Sequence, residues 1–255
     1  TSCYTQNMQN HPRVIVVMPT YNEKESLVEL VERIHALRIE NLHMVVVDDN
    51  SPDGTGTLAD SLTEKFPLSV IHRGAKEGLG RAYVHAFREI LVHSAHKQAF
   101  VMQMDADLSH NPSDIPRFLE HIQTCDVVLG SRYIPGGGIE NWDIMRRLVS
   151  QFGNIYASFA LGLPYRDLTS GYKCFRAEVL QAIDLSAVSS TGYNFQIETT
   201  YLAHKKGFRI REIPILFTER KFGKSKFHIG IMLESFWKVL VLRFGGLQKH
   251  SSKNS

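Results

Sequence analysis

Long hydrophobic runs are missing from this chain of 255 residues. A helix that crosses a membrane needs about 18 to 20 largely uninterrupted apolar residues. The nearest approach, Ile229 to Leu242, is broken by Glu234 and Lys238. The first residues, Thr1 to Asn10, are polar and hold no signal-peptide core, so neither an anchor nor a leader is expected of this sequence. Cysteine is scarce: Cys3, Cys125 and Cys174 lie far apart and form no CxxC. This argues against a disulfide framework and a zinc site, and for reduced thiols in the cytosol. Charge of one sign is lacking too, since a formal net charge of +3 is too mild to point to a nucleic-acid partner. No GxxxxGK[ST] run is present, which excludes a P-loop ATPase. None of the 12 histidines falls in an HExxH or HxH pattern, and no serine–histidine–acid order stands out. Gly54-Thr55-Gly56-Thr57-Leu58-Ala59 fits GxGxxA, but no acid closes the next strand, Val70-Ile71-His72-Arg73, so a dinucleotide site is rejected.

What is present is alternation. Val14-Ile15-Val16-Val17-Met18 is an unbroken, β-branched run, as in a strand buried on both faces, and it stops at Pro19. From Glu23 to Leu37 the apolar residues Leu27, Leu30, Val31, Ile34 and Leu37 keep a helical period. The same reading gives strands at 44–47, 68–72, 99–104 and 126–130, and helices over 56–66, 80–93 and 113–122. The pattern predicts an α/β fold, a mostly parallel central sheet with helices on both faces. The C-terminal ends of its strands share one edge, where such sheets bind ligands. Three of them end on polar or acidic residues: Tyr21-Asn22-Glu23, Asp48-Asp49 and Asp105-Ala106-Asp107. The second half is less regular, with helices expected over 142–161 and 195–206, a turn at 167–171 and a strand pair over 209–217 broken at Pro214. We read a tail (1–12), one catalytic domain (13–226), a C-terminal amphipathic interfacial helix (227–247) and a second tail (248–255).

Asp105-x-Asp107 follows a buried strand. Where the chain turns past a strand end, both carboxylates can face one ion, and oxygen ligands suit Mg²⁺ or Mn²⁺, which bridge phosphates. The bland alternative is helix capping. Asp48 and Asp49 can accept hydrogen bonds from a nucleobase or ribose, or simply belong to a solvated turn through Asn50-Ser51-Pro52-Asp53-Gly54. Arg73 to Arg81, RGAKEGLGR, mixes glycine and basic groups as phosphate-approaching loops do; a charged helix N-terminus is the alternative. Arg132, Arg146, Arg147, Arg220, Lys221, Lys224 and Lys226 lie in or beside irregular segments. From Arg220 to Lys249 there are seven Lys or Arg and one acid, Glu234. Such groups bind phosphate or an anionic leaflet, or form an ordinary solvated face. His110 follows the acidic pair closely enough to line the same site.

Taken in order, Pro19-Thr20-Tyr21-Asn22-Glu23, Asp48-Asp49-x-Ser-Pro-Asp-Gly, Asp105-Ala106-Asp107-Leu108-Ser109-His110, Gly130-Ser131-Arg132-Tyr133, Asn141-Trp142 with Arg146-Arg147, and Ser170-Gly171 resemble the GT-A glycosyltransferases, and among them the dolichol-phosphate mannosyltransferase family. The resemblance runs from Arg13 to Leu247. It implies a GDP-mannose donor held by Pro19, Tyr21, Glu23, Asp49, Lys76, Gly78, Asp105, Ala106 and Asp107. It implies Mg²⁺ or Mn²⁺ on Asp105 and Asp107, with Ser109 where some relatives have a glutamine ligand; serine is the poorer ligand, so a water takes part. Arg132, Arg146 and Ser150 match residues that hold the phosphate of dolichyl phosphate, and Arg220 and Lys226 match a loop that closes over the donor diphosphate. The catalytic set is then Asp107, Arg132, Arg220 and Lys226.

The chemistry agrees with the lack of a convincing base, because a phosphate monoester is already anionic and needs none. Attack opposite the leaving group inverts the anomeric centre and gives a β-linked mannosyl phosphate, in the family a donor for N-glycosylation, GPI anchors and O-mannosylation. The resemblance further implies peripheral attachment to the cytoplasmic face of the endoplasmic reticulum membrane and small membrane-embedded regulatory subunits. Trp142–Phe152 and Ile229–Leu242 are candidates to lie at that interface, packing against the domain being the equal alternative. A UDP-glucose-dependent dolichyl-phosphate glucosyltransferase and a non-catalytic nucleotide-sugar-binding subunit are the competing readings; a processive synthase is disfavoured because no QxxRW is present.

Overall fold

The computed structural model describes residues 13–92, 98–186, 188, 190, 192–219 and 236–244. In chain order the elements are β1 (Val14–Thr20), α1 (Lys24–His35), β2 (Leu42–Asp48), α2 (Thr55–Leu62), β3 (Leu68–His72), α3 (Leu79–Val92) and β4 (Phe100–Gln103). There follow a 3₁₀ turn (Pro112–Asp114), α4 (Ile115–His121), β5 (Val127–Ser131), β6 (Gly138–Glu140), α5 (Ile144–Leu161), β7 (Lys173–Arg176), α6 (Ala177–Ala182), α7 (Tyr193–Lys205), β8 (Ile210–Pro214) and β9 (Leu216–Thr218). Residues 236–244 are helical.

Seven strands form one sheet in the order β3-β2-β1-β4-β7-β5-β8. All neighbours pair parallel except β7, which runs antiparallel to both β4 and β5. The apolar run of β1 explains the layering. Val14, Val16 and Met18 enter a core with α1, α2 and α4, while Ile15 and Val17 enter a second core with α3, α6 and α7. A strand buried on both faces has no polar side to show, so its sequence carries no alternation. A third, smaller cluster joins Ala157 and Leu161 of α5 to Ile197 and Tyr201 of α7 and to Val239.

The elements differ from the expectation drawn from the sequence in three places. β1 continues through Pro19 to Thr20: its pairing with β4 ends at Val17, so Pro19 sits where only the β2 side of the ladder remains. α5 begins at Ile144 rather than Trp142, because the Asp143 side chain accepts from the Arg146 N–H at 2.9 Å and caps it; Gly162, at φ 67°, closes it. β7 and α6, which carry no clear periodic pattern in the sequence, fill the middle of the sheet and its flank. Of the expected C-terminal helix over 227–247, the part before 236 and after 244 lies outside the described residues, as does the basic loop Lys221–Lys226.

Candidate active site

β4 delivers the acidic pair to the C-terminal edge of the sheet. The chain turns after Gln103 through Leu108, whose φ of 64° is costly for a side chain of this size. That turn brings Asp105 and Asp107 into one cleft with Arg132, Arg146, Trp142 and Phe217. Asp107 is buried and accepts from the Ser109 N–H at 3.1 Å, while the Asp105 side chain keeps 30% of its surface exposed. His110 holds the turn from behind. Its ring is buried, stacks on Tyr172 at 4.8 Å and meets the edge of Phe217 at 5.6 Å. Its Nδ1 accepts from the Asp105 backbone N–H at 3.1 Å, which fixes the tautomer with the proton on Nε2. Burial, opposed by the Asp107 charge, pulls its pKa down to about 4, so the ring stays neutral. A lone pair already committed to a backbone N–H cannot serve as a general base; His110 shapes the acidic loop.

β5 delivers the basic wall. Directly after it, Arg132 locks onto Asp167. The Arg132 backbone N–H, Nε and Nη2 donate to the two Asp167 carboxylate oxygens at 2.9, 2.7 and 2.7 Å, and Nη2 also donates to Thr169 Oγ1 at 2.8 Å. Asp167 is wholly buried, and its own N–H donates to Glu212 at 3.0 Å. A bidentate fork of this kind fixes the plane of the guanidinium as well as its charge. The Arg132 and Arg146 guanidinium carbons lie 5.8 and 4.0 Å from the Trp142 ring centroid. Arg146 Nη1 donates to Glu219 at 2.6 Å. Ser150 stands one helical turn beyond Arg146 on α5, half-buried, with its carbonyl accepting from Asn154.

β1 and β2 deliver a third group. Lys76 Nζ lies 3.5 Å from the Tyr21 ring centroid. The Glu23 N–H donates to Thr55 Oγ1 at 3.1 Å, which ties the end of β1 to the start of α2. Asp49 is buried; its carboxylate pairs with Arg73 and accepts from the Gly78 N–H at 3.1 Å. Asp49 thereby pins the Arg73–Gly78 loop to the sheet edge, and Gly78 turns there at φ 94°. Pro19 is half-buried in β1 and Ala106 is buried between the two acids. The rejected GxGxxA match has a local cause: a Cβ at Gly56 would fall 2.7 Å from Asp48 Oδ2, so that glycine serves a close approach within the fold. Arg220 and Lys226 lie outside the described residues.

Residues 15–184 match the model of the glycosyl transferase family 2. This chain belongs to that family. The polyprenol monophosphomannose synthase of Mycolicibacterium smegmatis is 44% identical over 230 residues, which cover 89% of this chain and 85% of that one. The dolichol-phosphate mannosyltransferase of Pyrococcus furiosus is 38% identical over 218 residues, 84% of this chain and 59% of that longer protein. Among solved structures, the Mycobacterium tuberculosis glucosyl-3-phosphoglycerate synthase in complex with Mg²⁺ and UDP superposes with a TM-score of 0.68 at 16% identity, covering 96% of this chain and 84% of that one. At that identity the likeness is one of fold, the GT-A fold.

Several residues of this family 2 transferase that shape the cleft escaped the sequence reading. Asp167 falls in the expected turn at 167–171, and Glu219 belongs to none of the sequence motifs. The signal for Asp167 was its place two residues before Thr169 and three before Ser170-Gly171, a second short polar turn that the topology carries to the same edge. Trp142, a candidate either for the membrane interface or for packing against the domain, sits half-buried in the cleft between the arginines; the exposed apolar residues of this region begin at Ile144.

Proposed function

We propose that this chain transfers mannose from GDP-mannose to a polyprenyl phosphate, with inversion, and that dolichyl phosphate is the acceptor. The observation that carries the reading is one cleft with an acidic wall, Asp105 and Asp107, and a basic wall, Arg132 and Arg146. Moving a sugar from a nucleotide diphosphate to a phosphate monoester brings two anions together, and both walls serve that. The acceptor phosphate oxygen forms a bond to the anomeric carbon while the bond from that carbon to the diphosphate oxygen breaks and GDP departs. Arg132, Arg146 and Ser150 hold the acceptor phosphate. Tyr21, Glu23, Lys76 and the loop pinned by Asp49 hold the nucleoside, with Pro19, Gly78 and Ala106 as backbone walls, and Arg220 and Lys226 supply positive charge to the diphosphate. No side chain has to remove a proton.

A divalent ion fits the acidic wall. The donors lining the cleft are hard oxygens, the two carboxylates, and the Ser109 hydroxyl in the same loop is buried with no hydrogen-bond partner among the described residues. Mg²⁺ or Mn²⁺ held by Asp105, Asp107 and Ser109 would neutralise charge on the leaving diphosphate.

A membrane-held acceptor is supported by α5. Ile144, Leu148, Phe152, Ile155 and Phe159 form a stripe at helical spacing that stays exposed, Phe159 to 87%. Trp237, Val241 and Phe244 on the helical residues 236–244 are exposed as well. No helix among the described residues is long and apolar enough to cross a membrane. In this reading the chain meets the membrane through that apolar stripe, at the cytoplasmic face of the endoplasmic reticulum with dolichyl phosphate as its lipid, and the same stripe is open to small membrane subunits. The deciding experiment is transfer of labelled sugar to dolichyl phosphate in detergent, from GDP-mannose and from UDP-glucose in parallel, with and without EDTA. Metal-dependent transfer from GDP-mannose alone is expected. Transfer from UDP-glucose alone overturns the donor, and binding of nucleotide sugar without turnover, in the presence of lipid and metal, favours a non-catalytic subunit.

A further inference from the structure

One buried side chain just behind the cleft wall has no task in the reading above. Gln196 lies in the first turns of α7 and is 1% exposed, yet neither its Oε1 nor its Nε2 has a hydrogen-bond partner among the described residues. Its backbone carbonyl is well served, accepting from Lys173 Nζ at 2.6 Å and from Thr200 Oγ1 at 3.0 Å. The residue is therefore firmly placed while its amide is left empty-handed. Buried amides are normally paired, and an unpaired one calls for a ligand or a water.

The amide lies behind the cleft wall at Gly171. Gly171 lines the cleft beside Asp105. A Cβ built there would meet Gln196 Nε2 and Asp105 Oδ1 at 3.4 Å each and His110 Cε1 at 3.5 Å. Gly171 is not among the glycines of positive φ, so the backbone does not demand a glycine at this position. What the missing side chain leaves is a methyl-sized hollow between the amide and the first acid of the pair.

We propose that Gln196 reads a hydroxyl group of the transferred sugar, which enters the hollow at Gly171 and hydrogen-bonds to the side-chain amide. An amide suits a hydroxyl because it both donates and accepts, and unlike a carboxylate it adds no negative charge beside Asp105 and the donor diphosphate. Gln196 is then a specificity-determining residue of the donor site, and the inference rests on the reading of that site as one for a nucleotide hexose.

The test is donor binding by calorimetry in the presence of Mg²⁺, with no acceptor lipid. The ligands are GDP, GDP-mannose and the 2-, 3-, 4- and 6-deoxy forms of GDP-mannose, and the proteins are wild type and Gln196→Leu. In the wild type, one deoxy form is expected to bind at least tenfold more weakly than GDP-mannose. In Gln196→Leu, GDP-mannose is expected to fall by a similar factor, the penalty for that deoxy form to vanish, and GDP affinity to hold within about threefold. Gly171→Ala, which fills the hollow with a methyl group, is expected to weaken GDP-mannose but not GDP, and it serves if the leucine variant does not fold. A Gln196→Leu protein that still penalises the same deoxy form, or one that loses GDP as much as GDP-mannose, overturns the proposal. Because no lipid is present, failure of lipid transfer by the wild type would sink the functional reading without touching this result.

Discussion

Arg132 and Asp167 illustrate how one residue can carry both stability and chemistry. Asp167 is wholly buried and takes three hydrogen bonds from Arg132. Removing one partner of such a pair strands a buried charge, at a cost of about 3–5 kcal/mol. Asp167→Asn should therefore lower the unfolding free energy by roughly 3 kcal/mol in urea titration and raise the KM for the lipid acceptor more than that for the nucleotide sugar. The double variant Arg132→Met with Asp167→Leu should regain most of that stability and none of the activity, which separates the two roles. Asp107→Asn is the complementary case. It keeps the acceptor of the Ser109 N–H and removes only charge, so the fold should stand while kcat/KM falls by about 10²-fold or more. An asparagine variant with wild-type turnover would remove Asp107 from the mechanism. The acidic pair was legible in the sequence because it closes a recognisable apolar strand. Asp167 was not, because a buried aspartate and a solvated turn aspartate are the same letter until the partner arginine, 35 residues away, is brought beside it.

At the scale of elements the same contrast holds. β1, with its five consecutive apolar residues, could hardly be anything but an inner strand. β7 reads Lys173-Cys174-Phe175-Arg176, which suggests an exposed segment, yet Lys173 is fully buried. Its ammonium is satisfied by the Gln196 carbonyl and by Thr199 and Thr200 of α7, contacts that exist only once α7 has docked. Burial drives its pKa well below that of an ordinary lysine, with Asp167 opposing the shift. α5 was legible as a helix but its outward face was not, since an apolar stripe looks the same whether it meets a core or a bilayer. Replacing Leu148 and Phe152 together by serine should leave turnover of a short-chain, water-soluble polyprenyl phosphate within about twofold and reduce co-flotation with anionic vesicles at least tenfold. Equal flotation of the variant would assign the stripe to another partner.

For the molecule as a whole, the site is assembled from the two ends of the sheet. The groups proposed to hold the nucleotide come from β1 and β2, those proposed to hold the acceptor phosphate from β5 and α5, and the acidic pair stands between them after β4. A ligand bridging these parts should stabilise the fold as one body. GDP at 100 times its Kd should add about 2.7 kcal/mol and raise the midpoint of thermal unfolding by several degrees, and EDTA should abolish most of that rise. A shift that survives EDTA would mean that the nucleotide is held without a metal.

The antiparallel strand has a consequence for how the protein is made. β3, β2, β1 and β4 all lie within the first 103 residues, but the strand that covers the open side of β4 is not synthesised until residues 173–176. Throughout that interval the nascent chain on the ribosome offers the bare hydrogen-bonding edge of an apolar strand to any passing extended peptide, so this is the stage at which chaperone protection counts most.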